Sequence, residues 1–572
     1  MLLNITKITM EIKMTNSKRL LTAVLSSAMF ISACQTTHST VADLPLAGDT
    51  VANTNQIKAH LGFLASDALE GRLPGTAGHE SASAYIAAEF AKYGLTPAGD
   101  DGTYMQRITF RNASLVQESP TMVINYGDET VELNYPKDFL TGKSMLETES
   151  AVTAEMVFVG FGVVSEEYGI DDYAGLDVKG KIVVRVPGRH ATLPNEEGAH
   201  ISSSRERERY AIERGAVGMI TVQTPKSEEN RPYSRSLNYI HSVSMDWLDE
   251  TGKASKANPQ MKGSALLNLE TSKLLFANAP KSLEDVWSSM EGDVSPTGFE
   301  LNASVTLTKE STHEDITSPN VVGIVEGSDP TLKNEFVLYS AHSDHLGMSK
   351  SVEKDRINNG AMDNAGGTAI MLETARLFAS LPVKPKRSIL FVAVTAEEKG
   401  LLGSDYYAQI PTVPAENIVA NVNLDMPILT FDFADVIAFG AEHSSMKQYV
   451  ADATTSQGIA LTDDPWPEMN LFTRSDHYSF VKQGIPSIFL VTGITSNDPK
   501  DDAENMLMNF LKTHYHSPSD DLYQPFNWTA AYNFTQVNFA IGLEVANAAQ
   551  RPMWNADSFF GKTFGKSYNL AK

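Results

Sequence analysis

The stretch FVLYSAHSDHLG at residues 336–347 places His342 and Asp344 directly after a run of apolar residues. A near-continuous apolar run of this length is typical of a strand buried in a parallel sheet. Such sheets bind their ligands beyond the carboxyl ends of the strands, so both residues stand where a binding site is expected. Their spacing of two along an extended chain points the two side chains the same way. An aspartate placed like this can fix the tautomer of a metal-bound imidazole.

Four further stretches carry side chains that bind metal ions. They are AMDNAGG with Asp363, VTAEEKG with Glu397 and Glu398, NLDM with Asp425, and YHSPSD with His516. With His342, the set supplies two imidazoles and three carboxylates as ligands and leaves one carboxylate over, as a pair of zinc ions and an activated water require. Three ligand carboxylates and one hydroxide balance the charge of two Zn²⁺ ions, so the composition of the set favours a pair.

Strand and helix patterns alternate around these stretches. Apolar runs of strand length occupy residues 321–325, 336–341, 388–394, 419–424 and 487–491, and a helical pattern occupies residues 369–380. The alternation predicts an α/β fold with a mostly parallel mixed sheet flanked by helices. Because His342, Glu397, Glu398 and Asp425 each follow a predicted strand, we expect them to meet in one crevice.

Two other regions have a different character. Between residues 57 and 93, helical spacing on both sides of the Gly- and Pro-rich stretch 71–78 predicts two helices flanking a loop. From about 140 to 300, short apolar runs at 157–163, 182–186 and 217–222 are bounded by glycines and predict a small β-rich insert.

The N-terminus predicts an exported protein. Lys18 and Arg19 precede an apolar stretch at 20–31, which is too short for a membrane-spanning helix and fits a signal peptide. Cys34 is the single cysteine of the chain, so an internal disulfide and a thiolate zinc site are both excluded. The residues Ile-Ser-Ala-Cys resemble a bacterial lipobox, which implies lipid anchoring through Cys34 in the envelope, and Gln35 resembles the signal for the outer membrane, facing periplasm or exterior. A plain secretory signal is the alternative.

The net charge of the chain limits which classes of binding partner are expected. The chain has 572 residues and a formal net charge of −24 at pH 7. Nucleic acid and anionic membrane surfaces repel such a chain, which argues against both as main partners.

The whole constellation resembles the co-catalytic dizinc aminopeptidase family, whose relatives include glutamate carboxypeptidase and the transferrin receptor. The resemblance covers nearly the whole mature chain and implies a zinc-exopeptidase-like, phosphorylase/hydrolase-like fold, in which the insert is similar to a protease-associated domain. The predicted parts are a lipoprotein signal peptide at 1–34, a tether at 35–54, the N-terminal part of the peptidase domain at 55–139, the protease-associated insert at 140–302, the catalytic domain at 303–550 and a tail at 551–572.

The resemblance implies a ligand role for five residues. His342 and Asp425 would bind one Zn²⁺ ion, Glu398 and His516 the other, and Asp363 would bridge the two. In this family a cis peptide often follows the bridging aspartate.

The resemblance also implies three catalytic roles. Glu397 would be the general base and acid for a hydroxide that bridges the zinc ions, Asp344 would orient His342, and Tyr515 would donate to the oxyanion. Asp476 and His477, in the stretch RSDH, are expected to support the site or the substrate rather than to bind metal.

The end of the peptide that is attacked depends on cationic groups. A carboxypeptidase needs them for the terminal carboxylate. The catalytic segment is poor in arginine, which favours an aminopeptidase, but Arg205, Arg207, Arg209 and Arg214 of the insert could form a carboxylate clamp or merely an exposed basic helix face. A dizinc carboxypeptidase, a dizinc hydrolase of other amides and a non-catalytic lipid-anchored binding protein are the alternative functions.

Overall fold

The computed structural model describes residues 51–290, 296–350 and 352–570. The predicted signal peptide, Cys34 and most of the predicted tether lie outside these residues. Among the residues that the structure describes, no helix is both long enough and apolar enough to cross a lipid bilayer.

Helices and strands are numbered here in chain order. Helices α1 to α15 are Thr54–Leu64, Ala77–Tyr93, Asn195–Ile201, Ser204–Glu213, Pro225–Asn230, Tyr233–Leu237, Leu269–Ser272, Leu283–Ser289, Gly367–Ser380, Leu402–Gln409, Met446–Ser456, His477–Val481, Ala503–Thr513, Trp528–Asn547 and Phe559–Phe564. Strands β1 to β21 are Thr96–Pro97, Met105–Leu115, Thr121–Asn125, Thr130–Leu133, Phe139–Leu140, Glu149–Phe158, Val164–Ser165, Ile170–Asp171, Ile182–Arg185, Gly218–Val222, Ser244–Trp247, Gly263–Leu267, Phe299–Val325, Phe336–His342, Gly347–Met348, Ile357–Asn358, Ser388–Val394, Ile418–Asn423, Asp435–Phe439, Ala460–Thr462 and Ser487–Thr492.

The catalytic half is built on a mixed sheet with a parallel centre. Strands β17, β14, β18 and β21 run parallel to one another. Antiparallel pairs extend the sheet through β13, β2 and β11 on one side and through β19 on the other. The predicted α/β fold with a mixed sheet flanked by helices is confirmed.

Helices cover both faces of this sheet. Tyr339 on β14 packs into a core shared with α1, α2, α9 and α14, whereas its neighbour Leu338 packs on the opposite face with Tyr407 of α10 and Phe480 of α12. Burial on both faces explains why the central strands are apolar almost throughout.

The predicted strands of the sheet centre agree closely with the structure. Strands β14, β17, β18 and β21 begin and end within one residue of the predicted runs, and α9 begins two residues before its predicted start. The run at 321–325 is the exception, because it forms only the last part of the long strand β13.

Strand β13 joins the two sheets of the molecule. Its second half lies in the sheet of the catalytic half, and its first half pairs with β3 and β6 in the sheet of the insert. In the insert sheet β6, β9, β10 and β12 run parallel, and α3 and α4 lie between β9 and β10 in the sequence.

The insert differs from the sequence prediction in two ways. Strands β3 and β4 precede residue 140 and β5 ends at it, and all three lie in the insert sheet, so this sheet begins before residue 140. The region also contains helices α3 to α8 and is therefore not only β-rich. Its strand β6 ends at Phe158, ahead of a turn in which Gly160 and Gly162 adopt positive φ values of 64° and 70°.

The two ends of the described chain pack against the catalytic half. Helices α1 and α2 flank the loop near residues 71–78 as predicted, although α2 already begins at Ala77. In the predicted tail, Trp554 is 1% exposed and donates from Nε1 to the Gly484 carbonyl oxygen over 2.8 Å. The tail is thus part of the packed structure.

Candidate metal centre and active site

The five predicted metal ligands converge at the carboxyl edge of the parallel strands. His342 is the last residue of β14, Asp425 lies two residues beyond β18, and Glu398 follows β17. Asp363 lies in a π-helical turn that leads into α9, and His516 follows α13. Residues that are up to 174 positions apart in the chain are therefore brought to one crevice, as the strand ends predict.

The donor atoms form two groups that share Asp363. His342 Nε2 lies 3.2 Å from Asp363 Oδ1 and 3.1 Å from Asp425 Oδ1. His516 Nε2 lies 3.2 Å from Asp363 Oδ2 and 3.1 Å from Glu398 Oε2. Each oxygen of Asp363 thus faces a different histidine, which is the arrangement that two ions bridged by one carboxylate require. The Asp363-Asn364 peptide is cis.

His345 is a further donor that the sequence analysis left unassigned. Its Nδ1 lies 2.6 Å from Glu398 Oε1, and among the described residues neither ring nitrogen has a hydrogen-bond partner. His345, Asp363 and Glu398 place ligand atoms within 4.8 Å of one another, as do His342, Asp363 and Asp425. A buried imidazole in short contact with a carboxylate, without a hydrogen bond, fits a site for a cation.

Glu397 lies beside both groups without belonging to either. Its Oε2 is 3.9 Å from His342 Nε2, and burial raises the pKa of its carboxyl well above the usual value. A buried carboxylate with a raised pKa and no ligand role is suited to take up and release a proton.

Asp344 holds the glutamate pair in place. Its Oδ1 accepts a hydrogen bond from the Glu397 backbone N–H over 3.1 Å, and its Oδ2 accepts one from the Glu398 N–H over 3.4 Å. His342 Nδ1 is 3.9 Å from Asp344 Oδ1 but 3.2 Å from the Asp344 carbonyl oxygen. The carboxylate therefore ties the end of β14 to the residues after β17, and its predicted action on His342 stays a prediction.

Tyr515 lies at the rim of the same crevice. Its ring stacks on His516 with a centroid distance of 3.8 Å, and its hydroxyl oxygen accepts a hydrogen bond from Arg474 Nη2 over 3.4 Å. Burial raises the pKa of the phenol well above the usual value, so the hydroxyl keeps its proton. Asp476 and His477 are buried and belong to neither group of ligand atoms.

The sequence of the catalytic half matches a known family. Residues 320–541 match the family described as Peptidase family M28. This segment belongs to Peptidase family M28. Aminopeptidase YwaD of Bacillus subtilis (strain 168) is 28% identical over 208 residues, which are 36% of this chain and 40% of that protein. A probable glutamate carboxypeptidase of Arthroderma benhamiae is 29% identical over 229 residues, which are 37% of this chain and 27% of that protein.

A solved structure shares the fold over a longer stretch. The aminopeptidase from Aneurinibacillus sp. strain AM-1 superposes with a TM-score of 0.51 at 20% sequence identity, covering 88% of this chain and 95% of that one. The matched region spans less than half the length of each of these two curated relatives. The similarity to the solved structure shows the fold.

One arginine from outside residues 320–541 packs against this segment. Arg72, in the loop between α1 and α2, is 1% exposed, and its guanidinium donates to the carbonyl oxygens of Leu64, Ser343, Asn359 and Gly360. Ser343 directly follows the ligand His342, and Gly360 directly precedes the turn Ala361–Gly366 that carries Asp363. A permanent charge behind the metal centre offsets the buried carboxylates.

Asp520 fixes the loop that carries the bridging ligand. Its Oδ1 accepts from the Met362 N–H over 2.9 Å, and its Oδ2 accepts from the Asp363 N–H over 3.0 Å. The sequence analysis missed Asp520, although it lies four residues after His516 in the same YHSPSD stretch. Burial raises the pKa of its carboxyl to about 7.

A chain of hydrogen-bonded polar side chains supports the predicted metal ligand Asp425. Ser475 Oγ donates to Asp425 Oδ2, Asn423 Nδ2 donates to Ser475 Oγ over 2.6 Å, and Ser340 Oγ donates to Asn423 Oδ1 over 2.7 Å. All are buried. Polar residues inside otherwise apolar strands were the available sequence signal, because a buried polar group needs a partner.

Ser475→Ala is expected to weaken zinc binding by about 10- to 100-fold, because the hydrogen bond that orients Asp425 is lost. Competition with a fluorescent zinc chelator measures the change. Ser318→Ala is the matched control, since Ser318 is equally buried but its hydroxyl contacts His79 and Thr395, which are not ligands. Equal affinities of the two variants would contradict the role of Ser475.

The four insert arginines named in the sequence analysis do not come together as one clamp. Arg209 pairs with Glu206 and Glu213, and Arg214 lies 3.6 Å from an oxygen of Asp171. Arg207 is buried and faces the cavity of the M28 centre, whereas Arg205 is exposed. Arg207 points to a different side of α4 from Arg205 and Arg209, since residues two apart on a helix face different directions, and Arg214 follows the helix.

Proposed function

We propose that the protein is a zinc-dependent exopeptidase that removes N-terminal residues from peptides, with two Zn²⁺ ions per chain. The observation that supports this proposal is the pair of donor groups that share Asp363 and open into one cavity with Glu397 and Tyr515. Imidazole and carboxylate donors in this combination are those of catalytic zinc sites.

The donors fit zinc in chemistry as well as in number. His342, Asp363 and Asp425 would hold one ion, and Asp363, Glu398 and His516 the other, with His345 as an added neighbour of the second. Zinc in such a site supplies Lewis acidity, which polarises a carbonyl and makes water a nucleophile near neutral pH.

The chain's own residues carry the proton transfers. The Glu397 carboxylate takes a proton from the attacking water and returns it to the leaving amine, for which its raised pKa is suited. The Tyr515 hydroxyl donates a hydrogen bond to the oxyanion that develops from the peptide carbonyl. Asp344 positions both glutamates through their backbone N–H groups.

An aminopeptidase fits this centre better than a carboxypeptidase does. The metal centre is rich in carboxylates, which accept hydrogen bonds from a substrate α-amine. Arg474 reaches Tyr515, but the insert arginines named above do not converge on the centre. The matched relatives include an aminopeptidase and a probable glutamate carboxypeptidase. The choice of the amino end as the end attacked therefore rests on the side chains around the centre.

Zinc-loaded protein is expected to cleave a peptide that is blocked at its carboxyl end and to leave intact the same peptide blocked at its amino end. Mass spectrometry of the products measures both reactions, and a chelator should abolish cleavage. Cleavage only where the carboxyl end is free would establish a carboxypeptidase. Cleavage of neither peptide would favour hydrolysis of other amides or a binding function.

We also propose that the chain is exported and anchored through a lipid on Cys34 in the bacterial envelope. The support is the basic and apolar order of residues 18–31 followed by the lipobox-like sequence. An anchored exopeptidase would meet peptide substrates outside the cytoplasm.

A further inference from the structure

The metal centre and the insert share one large cavity. Its volume is about 2550 Å³, far more than a single amino-acid residue occupies. Asp363, Glu397 and His516 line it from the catalytic half, and Arg185, Ser202 and Arg207 line it from the insert. A substrate attacked at the metal centre can therefore reach groups of the insert.

The insert residues lie where a parallel sheet binds its ligands. Arg185 is the last residue of β9, and the ten-residue helix α4, on the path from β9 to β10, begins at Ser204 with Ser203 as its N-cap. In such a β-α-β unit the helix N-terminus and the carboxyl ends of the strands meet at one edge. The partial positive charge of the helix end favours an anion at this edge.

Two buried donors at this edge have no partner within the described residues. They are Arg185 Nε and Ser202 Oγ. Burial lowers the pKa of Arg185 to about 10, and among the described residues no carboxylate forms a salt bridge with it. Arg185 is partly buried, and a buried Nε donor without a partner is costly unless an added group such as an anion accepts from it.

A second cation lies beside the first. Arg207 is 7% exposed and donates from Nε to the Phe161 carbonyl oxygen over 2.9 Å, and the charge of Arg185 lowers its pKa further than burial alone does. Asp172, the carboxylate that acts on Arg207, is occupied by the Val163 N–H and by His190. Two neighbouring guanidinium groups with no free carboxylate between them form a site for an added anion.

We propose that Arg185, Arg207 and Ser202 form a subsite for a carboxylate of the peptide substrate, remote from the bond that is cleaved. The inference rests on the proposed peptidase function and names its substrate class: short peptides whose carboxylate reaches across the cavity. The subsite is remote in the sense that Arg185 and Arg207 lie on β9 and α4 of the insert, whereas the metal ligands lie in the catalytic half. A carboxyl terminus and an acidic side chain share the required chemistry.

The test compares peptides that differ only in this carboxylate. Leucyl-alanine peptides of two to six residues are prepared with a free or an amidated carboxyl end. The free acid is expected to exceed the amide in kcat/KM by about 10- to 100-fold at one favoured length, as a charge-assisted hydrogen bond would give. An amidated peptide that ends in glutamate shows whether a side-chain carboxylate serves equally well.

Arg185→Gln is expected to reduce the ratio of free acid to amide to about one, mainly through a higher KM for the free acid. Arg235→Gln is the matched control, because Arg235 lines the same cavity, is exposed and loses the same charge. It should keep the ratio. A ratio near one for the wild type at every length, or an unchanged ratio in Arg185→Gln, would overturn the subsite.

Binding separates this inference from the proposed activity. Calorimetric titration of the zinc-loaded Glu397→Gln protein with the same peptides reports affinity without turnover. A preference for the free acid that disappears with Arg185→Gln supports the subsite even if no peptide is hydrolysed. Equal affinities for acid and amide overturn it even if hydrolysis is fast.

Discussion

Glu397→Gln is expected to lower kcat about 100- to 10,000-fold while the protein keeps its zinc and its fold. The amide has nearly the same shape as the carboxylate but cannot take a proton from water. Glu397 belongs to neither group of ligand atoms, and its Oε2 is 3.9 Å from the nearest histidine nitrogen of the centre, His342 Nε2. Hydrolysis of leucine p-nitroanilide measures kcat, and elemental analysis measures zinc per chain.

Glu398→Gln is the control for this variant, because it changes the adjacent glutamate in the same way. Glu398 lies 3.1 Å from His516 Nε2 and belongs to the second ligand group, so its variant should lose zinc as well as activity. Near-native turnover of Glu397→Gln would show that another group is the base. Loss of zinc from Glu397→Gln would show instead that Glu397 is a ligand.

The strand ends of the catalytic half could be predicted from sequence because their physics is local. A strand buried on both faces must be apolar at every position, so the runs that become β14 and β17 are visible without any partner. The first hydrophilic residue with ligand chemistry then marks the edge of the sheet. This is why His342 and Asp425 could be placed before the structure was known.

The support of the site could not be predicted because it joins residues that are remote in sequence. Asp520 accepts a hydrogen bond from Met362, 158 positions away, and Arg72 donates to Gly360, 288 positions away. Neither residue has a pattern around it that reveals its partner. His345 stayed unassigned for another reason, since the ligand set was already complete without it.

The end of the insert has no sharp boundary in the sequence, because the single strand β13 belongs to both sheets. Its 27 residues alternate between buried and more exposed positions in the first part, are mostly exposed in the middle and are buried at the end, so the composition changes within one continuous strand. The sequence of the tail shows no helical or strand period, because the tail is held by contacts with distant parts of the chain. Phe560 lies against His443 with a centroid distance of 4.6 Å, and α15 has only 6 residues.

Arg72→Met is expected to destabilise the zinc-free protein by about 3–5 kcal/mol, as the loss of one member of a buried charge set does. The variant keeps an unbranched side chain in place of the aliphatic part of arginine but leaves carbonyl oxygens of Leu64, Asn359 and Gly360 without their donor. Each unsatisfied buried group costs on the order of 1–3 kcal/mol, and local rearrangement recovers part of the sum. Urea titration followed by circular dichroism measures the change.

Arg107→Met supplies the matched control. Arg107 pairs with Glu80 over 2.9 Å, but the two side chains are 51% and 40% exposed, so a loss of at most about 1 kcal/mol is expected. Comparing the same substitution at the two positions therefore distinguishes the contribution of a buried charge to the free energy of unfolding from that of a surface ion pair. If both variants lost equal stability, the carbonyl contacts of Arg72 would not support the fold.

Zinc binding gives Arg72→Met a second and independent readout. The guanidinium acts electrostatically on Asp344, Asp363, Glu398 and Asp520, and it holds the chain on both sides of the ligand loops. Without it, mutual repulsion of these carboxylates destabilises the metal-free centre, and bound zinc relieves that repulsion. The stabilisation that zinc confers should therefore be larger in the variant than in the wild type. A smaller zinc-dependent stabilisation would show that Arg72 acts mainly by shaping the loops, because repulsion among the carboxylates alone predicts the opposite sign.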